Sequence, residues 1–131
     1  MIKTTSLREI FNLPEEAYTI IVMRHFPWWF KGLKGNYDEY LPDLAPSREL
    51  LRLYKEELGR LKDPGKAWKI TKFEMRYIHY IMHSSGRLAE LRRIKALGEN
   101  MDVYLICHER LDAYCHRRVL KELIDKYSSK S

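Results

Sequence analysis

VYLICHERLDAYCHRRVLKEL, residues 103–123, is the stretch that decides the fold, and it holds both cysteines of the chain and two of its five histidines. It begins with Val103–Ile106, a short apolar run of strand-forming residues, and apolar side chains recur at helical spacing from Val119 to Ile124. A strand that continues through a loop into a helix is therefore predicted. Polar residues fall where the strand ends and where the helix begins, and ligands of open parallel α/β sheets bind at that edge.

Two earlier segments also have the character of strands. Tyr18–Met23 is continuously apolar, as is typical of a strand covered on both faces, and Ile2–Thr5 is a shorter run of strand formers. Helical segments separate the second strand from Val103–Ile106, and a parallel return needs a crossover of this kind. We therefore expect a three-layer α/β fold with a small, mainly parallel sheet flanked by helices, in which Tyr18–Met23 and Val103–Ile106 are neighbours.

The segment between these strands predicts helices with recognisable ends. Ser47 has the position of an N-cap for a helix that runs to about Leu61, and Asp63–Gly65 is expected to end that helix in a turn. Thr71 and Glu74 have the spacing of a capping box, which predicts a second helix beginning there. After residues 84–86 interrupt it, an amphipathic pattern continues to Gly98, which we expect to be the C-terminal cap.

Length and composition restrict the classes of protein. The chain has 131 residues, 45% of them hydrophobic, so we expect one domain that spans residues 1–131. A net charge of +6 favours anionic partners such as phosphates, nucleotides or nucleic acid, although a solvated basic surface is the commoner explanation. No apolar run is long enough to span a membrane and no signal peptide begins the chain, which predicts a cytoplasmic protein without a membrane partner. Charged residues make up 32% and Gln is absent, a balance that leans towards heat-adapted proteins.

Chemically versatile side chains follow both long strands. Arg24 and His25 follow Tyr18–Met23, and the residues after Val103–Ile106 are Cys107, His108 and Glu109. Because parallel neighbours end at the same edge of a sheet, both groups are expected to face one cleft.

The beginning of the last helix is expected at the same cleft. If Asp112 is its N-cap, the amides near Cys115 and His116 can bind an anion, with the helix dipole adding attraction. Arg24 and Arg117 are suited to hold that anion through bidentate hydrogen bonds.

The chemistry predicted for this cleft needs a nucleophile and proton-transfer groups. The positive field at the helix start favours the thiolate form of Cys115, and His116 or Glu109 could move a proton near neutral pH. The predicted catalytic residues are Cys107, Glu109, Cys115 and His116.

The loop after the second strand is unusually aromatic. Phe26–Phe30 contains Trp28 and Trp29, which we predict to contact a ligand together with His25, because aromatic rings form stacking platforms for bases. A hydrophobic flap packed over the sheet explains the same residues.

Structural explanations remain open for the cysteines. Cys107 could be a small buried hydrophobe, and Arg24 with Glu109 could form a structural ion pair. A disulfide between Cys107 and Cys115 is also open, as expected of heat-adapted intracellular proteins.

Metal binding has weaker support than these alternatives. Two Cys and two His are a permitted zinc ligand set, here Cys107, His108, Cys115 and His116, but the spacing lacks the usual CxxC and HxxxH pattern. His79 and His83 have the i, i+4 spacing of a two-histidine metal site, and no third ligand is evident nearby. We therefore predict no metal ligand set and no cofactor.

Four segments resemble the YeaO-like proteins, a family catalogued as domain of unknown function 488. They are residues 21–27 (IVMRHFP), 38–50 (DEYLPDLAPSREL), 73–77 (FEMRY) and 103–123, and they cover nearly the whole chain in the family's order. The resemblance implies an α/β fold without an established activity. It also implies functional positions, and Tyr77 enters the predicted ligand-binding residues on this ground alone. The residues that match the family motif are Arg24, Pro27, Tyr77, Cys107, Glu109, Cys115, His116 and Arg117.

This chain departs from the family pattern in two places. Many relatives carry an acidic residue at the position of Met23, and many carry Pro-Arg-Gly where this chain has Pro27, Trp28 and Trp29. No role that depends on that acid or on that second arginine is carried over.

Three hypotheses for the function follow from these residues. The first is an enzyme-like pocket for a small anionic ligand, a nucleotide or another phosphorylated compound. The alternative is a nucleic-acid-binding module without catalysis, which uses a basic helix face and the aromatic loop. The third is a zinc or thiol redox site.

Overall fold

The computed structural model describes residues 1–25, 37–108 and 114–126. Its sheet has four strands in the order β1-β4-β2-β3, and every neighbouring pair is parallel. The predicted three-layer α/β fold is confirmed. The strands are β1 (Ile2–Ser6), β2 (Tyr18–Ile21), β3 (Glu39–Tyr40) and β4 (Val103–Cys107).

Helices connect and cover the strands. Two of them, α4 and α5, pack on the sheet and on each other, and α3 packs against α4 and α5. Short 3-10 helices span Leu7–Asn12 and Pro42–Leu44. The α-helices of the described residues are α1 (Arg48–Leu61), α2 (Pro64–Ile70), α3 (Phe73–Met82), α4 (Ser85–Asn100) and α5 (His116–Lys126).

The register between β2 and β4 sets the position of the site. Tyr18 pairs with Val103 and Ile21 pairs with Ile106, so the predicted neighbours are confirmed and end at the same level. The amide of Val22 extends this ladder by donating to the carbonyl oxygen of Ile106 at 2.9 Å. Residues after both strands therefore emerge side by side at the carboxyl edge.

Helix α1 has the predicted ends, but the segment after it differs from the prediction. The Ser47 side chain accepts a hydrogen bond from the Leu50 amide, and the helix ends before Lys62, which has a left-handed φ of 54°. The turn expected at residues 63–65 is wrong, because Asp63 caps the new helix α2 by accepting from the Lys66 amide. Pro64 fits the first turn of α2, where its missing N–H leaves no hydrogen bond unmade.

The capping box predicted at Thr71 is also wrong. The Thr71 hydroxyl is buried and donates to the carbonyl oxygen of Ala67 at 2.7 Å, so it closes the last turn of α2. Helix α3 begins at Phe73, after Lys72 in the left-handed region with φ of 52°.

Gly98 is not the end of a helix, because α4 continues to Asn100. A Cβ atom at this position would lie 2.5 Å from the Cδ1 atom of Ile2. The glycine therefore allows α4 to approach β1 closely, and packing rather than helix termination explains it.

The core lies between the sheet and its helices. Ile20 and Ile21 of β2 and Leu105 and Ile106 of β4 have no exposed surface, as expected for central strands covered on both faces. Within the described residues no helix has the length and apolar character needed to cross a membrane.

Candidate active site at the carboxyl edge of the sheet

A cavity of about 410 Å³ lies at the edge where β2 and β4 end, and we call it the site cavity. Its lining includes residues that follow both strands and residues at the start of α5. The structure thus brings together the predicted site residues Arg24, His25, Cys107, Cys115 and His116 around one space.

A buried arginine contacts the sulfur of Cys107. The Arg117 guanidinium donates from Nη1 to Cys107 Sγ at 3.0 Å, and only 2% of Arg117 is exposed. A fixed positive charge at this distance favours the thiolate form of a cysteine. Arg117 is absent from the described lining of the site cavity, so its contact is with Cys107, and its predicted contact with a ligand stays a prediction.

The second cysteine completes a compact group with Cys107. The structure joins Cys107 and Cys115 as a disulfide across eight residues of sequence. One ligand-type atom from each of Cys107, Cys115 and His116 lies within 4.8 Å of the others. In residues 1–25, 37–108 and 114–126 this is the one group of three such side chains close enough to hold a metal ion.

The tautomer of His116 follows from its backbone partner. Nε2 of His116 lies 2.6 Å from the carbonyl oxygen of Val22, and because a carbonyl only accepts, Nε2 carries the proton. Burial lowers the pKa of His116 to about 4; the bond to Val22 raises it, whereas Arg117 and Arg24 lower it further. At pH 7 the imidazole is therefore neutral. Its Nδ1 presents a lone pair and faces Cys115 Sγ at 3.9 Å.

An aromatic wall, formed by Tyr54, Trp68, Phe73 and Tyr114, lines another side of the site cavity. The Trp68 and Phe73 rings stack with centroids 4.3 Å apart, and Tyr54 meets Phe73 edge to face at 5.4 Å. The sequence pattern did not identify these four aromatic residues as the lining of a cavity.

Arg24 holds the segment that precedes α1. Its Nε donates to the Pro46 carbonyl at 2.9 Å and its Nη2 donates to the Ala45 carbonyl at 3.2 Å. The same Nη2 atom lies 3.3 Å from the Tyr80 hydroxyl oxygen. Arg24 therefore has a structural role that its predicted role in ligand binding did not include.

Tyr77 and Arg87 also hold the segment that precedes α1. The buried Tyr77 hydroxyl donates to the Leu44 carbonyl, and Arg87 Nε donates to the Asp43 carbonyl at 2.9 Å. Side-chain donors thus satisfy the carbonyl groups from Asp43 to Pro46, which lie outside the strands of the sheet. Tyr77 is fully buried and absent from the described lining of the site cavity, so its predicted role as a ligand contact stays a prediction.

A basic groove lies beside the site cavity. It has a volume of about 550 Å³ and shares Arg24, His25 and Lys55 with the cavity. Arg48, Arg52 and Glu56 of α1 extend it, and because Arg52 pairs with Glu56 at 2.8 Å, the further positive charge comes from Arg48.

Other predicted positions do not join this site. His79 and His83 stack with ring centroids 3.8 Å apart, and His83 Nδ1 contacts the His79 carbonyl at 2.9 Å. The predicted residues Trp28, Trp29 and Glu109, and the predicted cap Asp112, lie outside the described residues.

Comparison with known families gives one match. A family model described as the active DUF488-N3 subclade matches residues 2–128, which is nearly the whole chain. Searches of curated proteins and of solved structures found no significant match.

Proposed function

The chain belongs to the DUF488 family, in the subclade described as active DUF488-N3, and on this premise we propose that its site cavity is an enzyme-like pocket for a small anionic ligand. Cys107 is the proposed nucleophile. The ligand is a nucleotide or another phosphorylated compound. The Cys107 thiolate attacks its phosphorus, an S–P bond forms as the P–O bond to the leaving group breaks, and the departing oxygen takes a proton from water.

One observation carries the proposal: the contact between Arg117 and Cys107 at the carboxyl edge of the sheet. The Arg117 guanidinium donates to the Cys107 sulfur at 3.0 Å, and a fixed cation at this distance favours the thiolate once the disulfide is reduced. A purely structural cysteine would be served better by an apolar neighbour.

The remaining side chains have distinct roles in this proposal. Arg24 and Lys55 line the site cavity with positive charge, which attracts an anionic group. The aromatic wall packs against the apolar or base-like part of the ligand. His116 is neutral at pH 7, so it orients Cys115 through Nδ1 and does not compete as a cation with the ligand's anion. Glu109 keeps its predicted role in proton transfer.

Alkylation of single-cysteine variants tests the nucleophile. In Cys115→Ser, the remaining Cys107 should react with iodoacetamide at least about threefold faster at pH 7 than Cys115 does in Cys107→Ser. A nearby cation increases the thiolate fraction on the order of tenfold, and the lower nucleophilicity of a less basic thiolate offsets part of that gain.

The charge of Arg117 is tested in the Cys115→Ser background. Arg117→Met should remove the rate advantage of Cys107, whereas the matched control Arg118→Met should keep it, because Arg118 pairs with Glu74 and Glu122. If Arg117→Met fails to fold, the pH profile of alkylation in Cys115→Ser replaces it, with a midpoint expected below about 8.5. Equal reactivity of the two cysteines and an ordinary midpoint would refute the nucleophile.

A thermal-shift screen of the reduced protein tests the ligand. A phosphorylated compound or nucleotide at a hundred times its Kd should stabilise the fold by about 2.7 kcal/mol. The shift should shrink in Lys55→Ala. No shift with any nucleotide or phosphorylated metabolite would exclude this class of ligand.

The basic groove favours a second candidate, the binding of single-stranded nucleic acid. Arg92 and Arg93 of the basic face expected from the sequence make other contacts, and Arg93 pairs with Glu39 and Glu90. The groove along α1 therefore replaces them as the proposed surface.

Fluorescence anisotropy with a labelled single-stranded oligonucleotide tests this surface. Affinity should fall steeply with salt, with about 0.7 units of logarithmic slope for each phosphate contacted. The double variant Arg48→Gln/Lys55→Gln should weaken binding more than Lys95→Gln/Lys121→Gln, which removes the same charge from a different groove. Equal losses, or a flat salt response, would argue against it.

A further inference from the structure

The two cysteines of the chain meet at one point of the fold although their environments differ. The structure joins their sulfur atoms, with Cys107 at the end of β4 and Cys115 immediately before α5. The chain is not one of the small disulfide-rich scaffolds that depend on cysteine pairs for stability, because it has a continuous hydrophobic core. The pairing therefore calls for an explanation in chemistry.

The contacts of the two sulfurs are unequal. Cys107 Sγ accepts a hydrogen bond from the Arg117 guanidinium at 3.0 Å, whereas the neighbour of Cys115 Sγ is the neutral His116 Nδ1 at 3.9 Å. A cationic donor favours the thiolate, and a neutral lone pair favours a protonated thiol that donates to it. Once the disulfide is reduced, these contacts favour the thiolate at Cys107 and the protonated thiol at Cys115.

Access to this pair is limited to small molecules. Only 1% of Cys107 and 2% of Cys115 is exposed, but both residues line the site cavity of about 410 Å³. A small hydroperoxide can enter a space of this size, whereas a protein thiol cannot reach either sulfur.

From these observations we propose that Cys107 is a site of oxidation by hydroperoxides and that Cys115 converts the oxidised form to a reversible disulfide. The inference rests on the proposed function, since it needs the same reactive Cys107, and it adds a regulation of that site. Oxidation withdraws the nucleophile, and reduction of the disulfide by a dithiol restores it.

The chemistry balances in two steps. The Cys107 thiolate attacks the terminal peroxide oxygen, the O–O bond breaks, and the departing alkoxide takes a proton from water, which leaves a sulfenic acid. The Cys115 sulfur then attacks the Cys107 sulfur, the S–S bond forms and the S–O bond breaks. The hydroxide that leaves combines with the thiol proton of Cys115 as water.

Intact-mass spectrometry of the reduced, metal-free chain tests the assignment. After one equivalent of hydrogen peroxide in the presence of dimedone, the wild type should lose two hydrogen atoms and carry no dimedone. Cys115→Ser should form a dimedone adduct at Cys107 and, with excess peroxide, should proceed to sulfinic acid. Cys107→Ser should react more slowly and carry little adduct, which makes it the matched control. Dithiothreitol should return the wild type, but not the overoxidised variant, to its starting mass.

The outcomes separate the inference from the proposed function. If Cys107 alkylates rapidly but the wild type accumulates dimedone adduct as Cys115→Ser does, the resolving role of Cys115 is wrong and the nucleophile stands. If neither cysteine shows enhanced alkylation or oxidation, both proposals fail together. Stoichiometric zinc retained by the reduced chain, and lost in either cysteine variant, would also overturn the inference, because both thiols would then be ligands.

Discussion

Lowering the pH should destabilise the protein through His116 before it titrates most carboxylates. Burial holds the pKa of His116 at about 4, against about 6.5 in the unfolded chain. Between these values the unfolded state binds a proton that the folded state does not. The depressed pKa therefore contributes stability that is complete above pH 6.5 and is lost as the pH falls towards 4.

The magnitude follows from the size of the shift. A difference of about 2.5 pKa units at about 1.36 kcal/mol for each unit gives roughly 3 kcal/mol of unfolding free energy lost across the window. About half of that loss should already occur near pH 5. Carboxylates such as Glu39 titrate at lower pH, because the hydrogen bonds from Arg93 lower the pKa of Glu39. A few kcal/mol is a large part of the stability of a small domain.

Urea unfolding under reducing conditions at pH 7.5, 6, 5 and 4.5 measures this effect. His116→Gln removes the titrating group and keeps an amide that can donate to Val22, so its stability should change much less with pH over this range. His83→Gln, which removes an exposed histidine directly after α3, should follow the wild type and serves as the control. If wild type and His116→Gln fall in parallel from pH 7.5 to 4.5, the neutral imidazole with a depressed pKa is refuted.

Three further predictions concern packing, the supported segment and the disulfide. Gly98→Ala should destabilise the fold by about 1–3 kcal/mol, because its Cβ would overlap Ile2. Gly59→Ala should stabilise it by about 0.5–1 kcal/mol, because this position on α1 faces open space. Denaturant unfolding of both variants checks the contrast. Tyr77→Phe should cost about 1–3 kcal/mol in the same assay, since a buried carbonyl loses its donor, and a neutral result would contradict that bond. Reducing the disulfide should lower the unfolding free energy by about 2.5 kcal/mol, which is the loop-closure entropy expected for cysteines eight residues apart. A denaturant midpoint that stays unchanged in dithiothreitol would count against a closed bond.

The sequence predicts this sheet well because its two central strands carry their own signal. Tyr18–Met23 and Val103–Ile106 are continuous apolar runs, and such runs fit only strands that are covered on both faces. Their adjacency follows from the crossover rule, and so does the shared edge at which Arg24 and Cys107 meet. These features depend on local pattern and topology, which are both readable along the chain.

Ambiguous local signals explain the errors. Asp63, Pro64 and Gly65 are typical of a turn. An aspartate before a proline is also typical of a helix start, with the aspartate as N-cap and the proline in the first turn, and this is the structure that α2 adopts. Thr71 has the spacing of a cap, but its hydroxyl bonds backward to Ala67. In each case the same residues satisfy two local rules, and tertiary packing decides between them.

The sequence pattern does not predict the direction in which a side chain of the site points. Arg117 matched a family motif and stood at the start of a helix, which suggested contact with an anion, but the turn of α5 directs it inward to Cys107. Arg24 and Tyr77 matched the same motif, and their hydrogen bonds hold the carbonyl groups before α1. The matching residues thus divide between chemistry and scaffold.

That division has a physical reason. The segment from Asp43 to Pro46 borders the site cavity through Ala45 and Pro46, and it lies outside the strands of the sheet, so side chains supply the donors for its carbonyl groups. Without donors from Arg24, Tyr77 and Arg87 they would need water, and a hydrated segment could not form a fixed wall beside Cys107. A reactive cysteine depends on fixed neighbours, because its thiolate is favoured only while the guanidinium stays within about 3 Å. Arg24 and Tyr77 therefore serve the proposed chemistry by keeping the cavity in one shape.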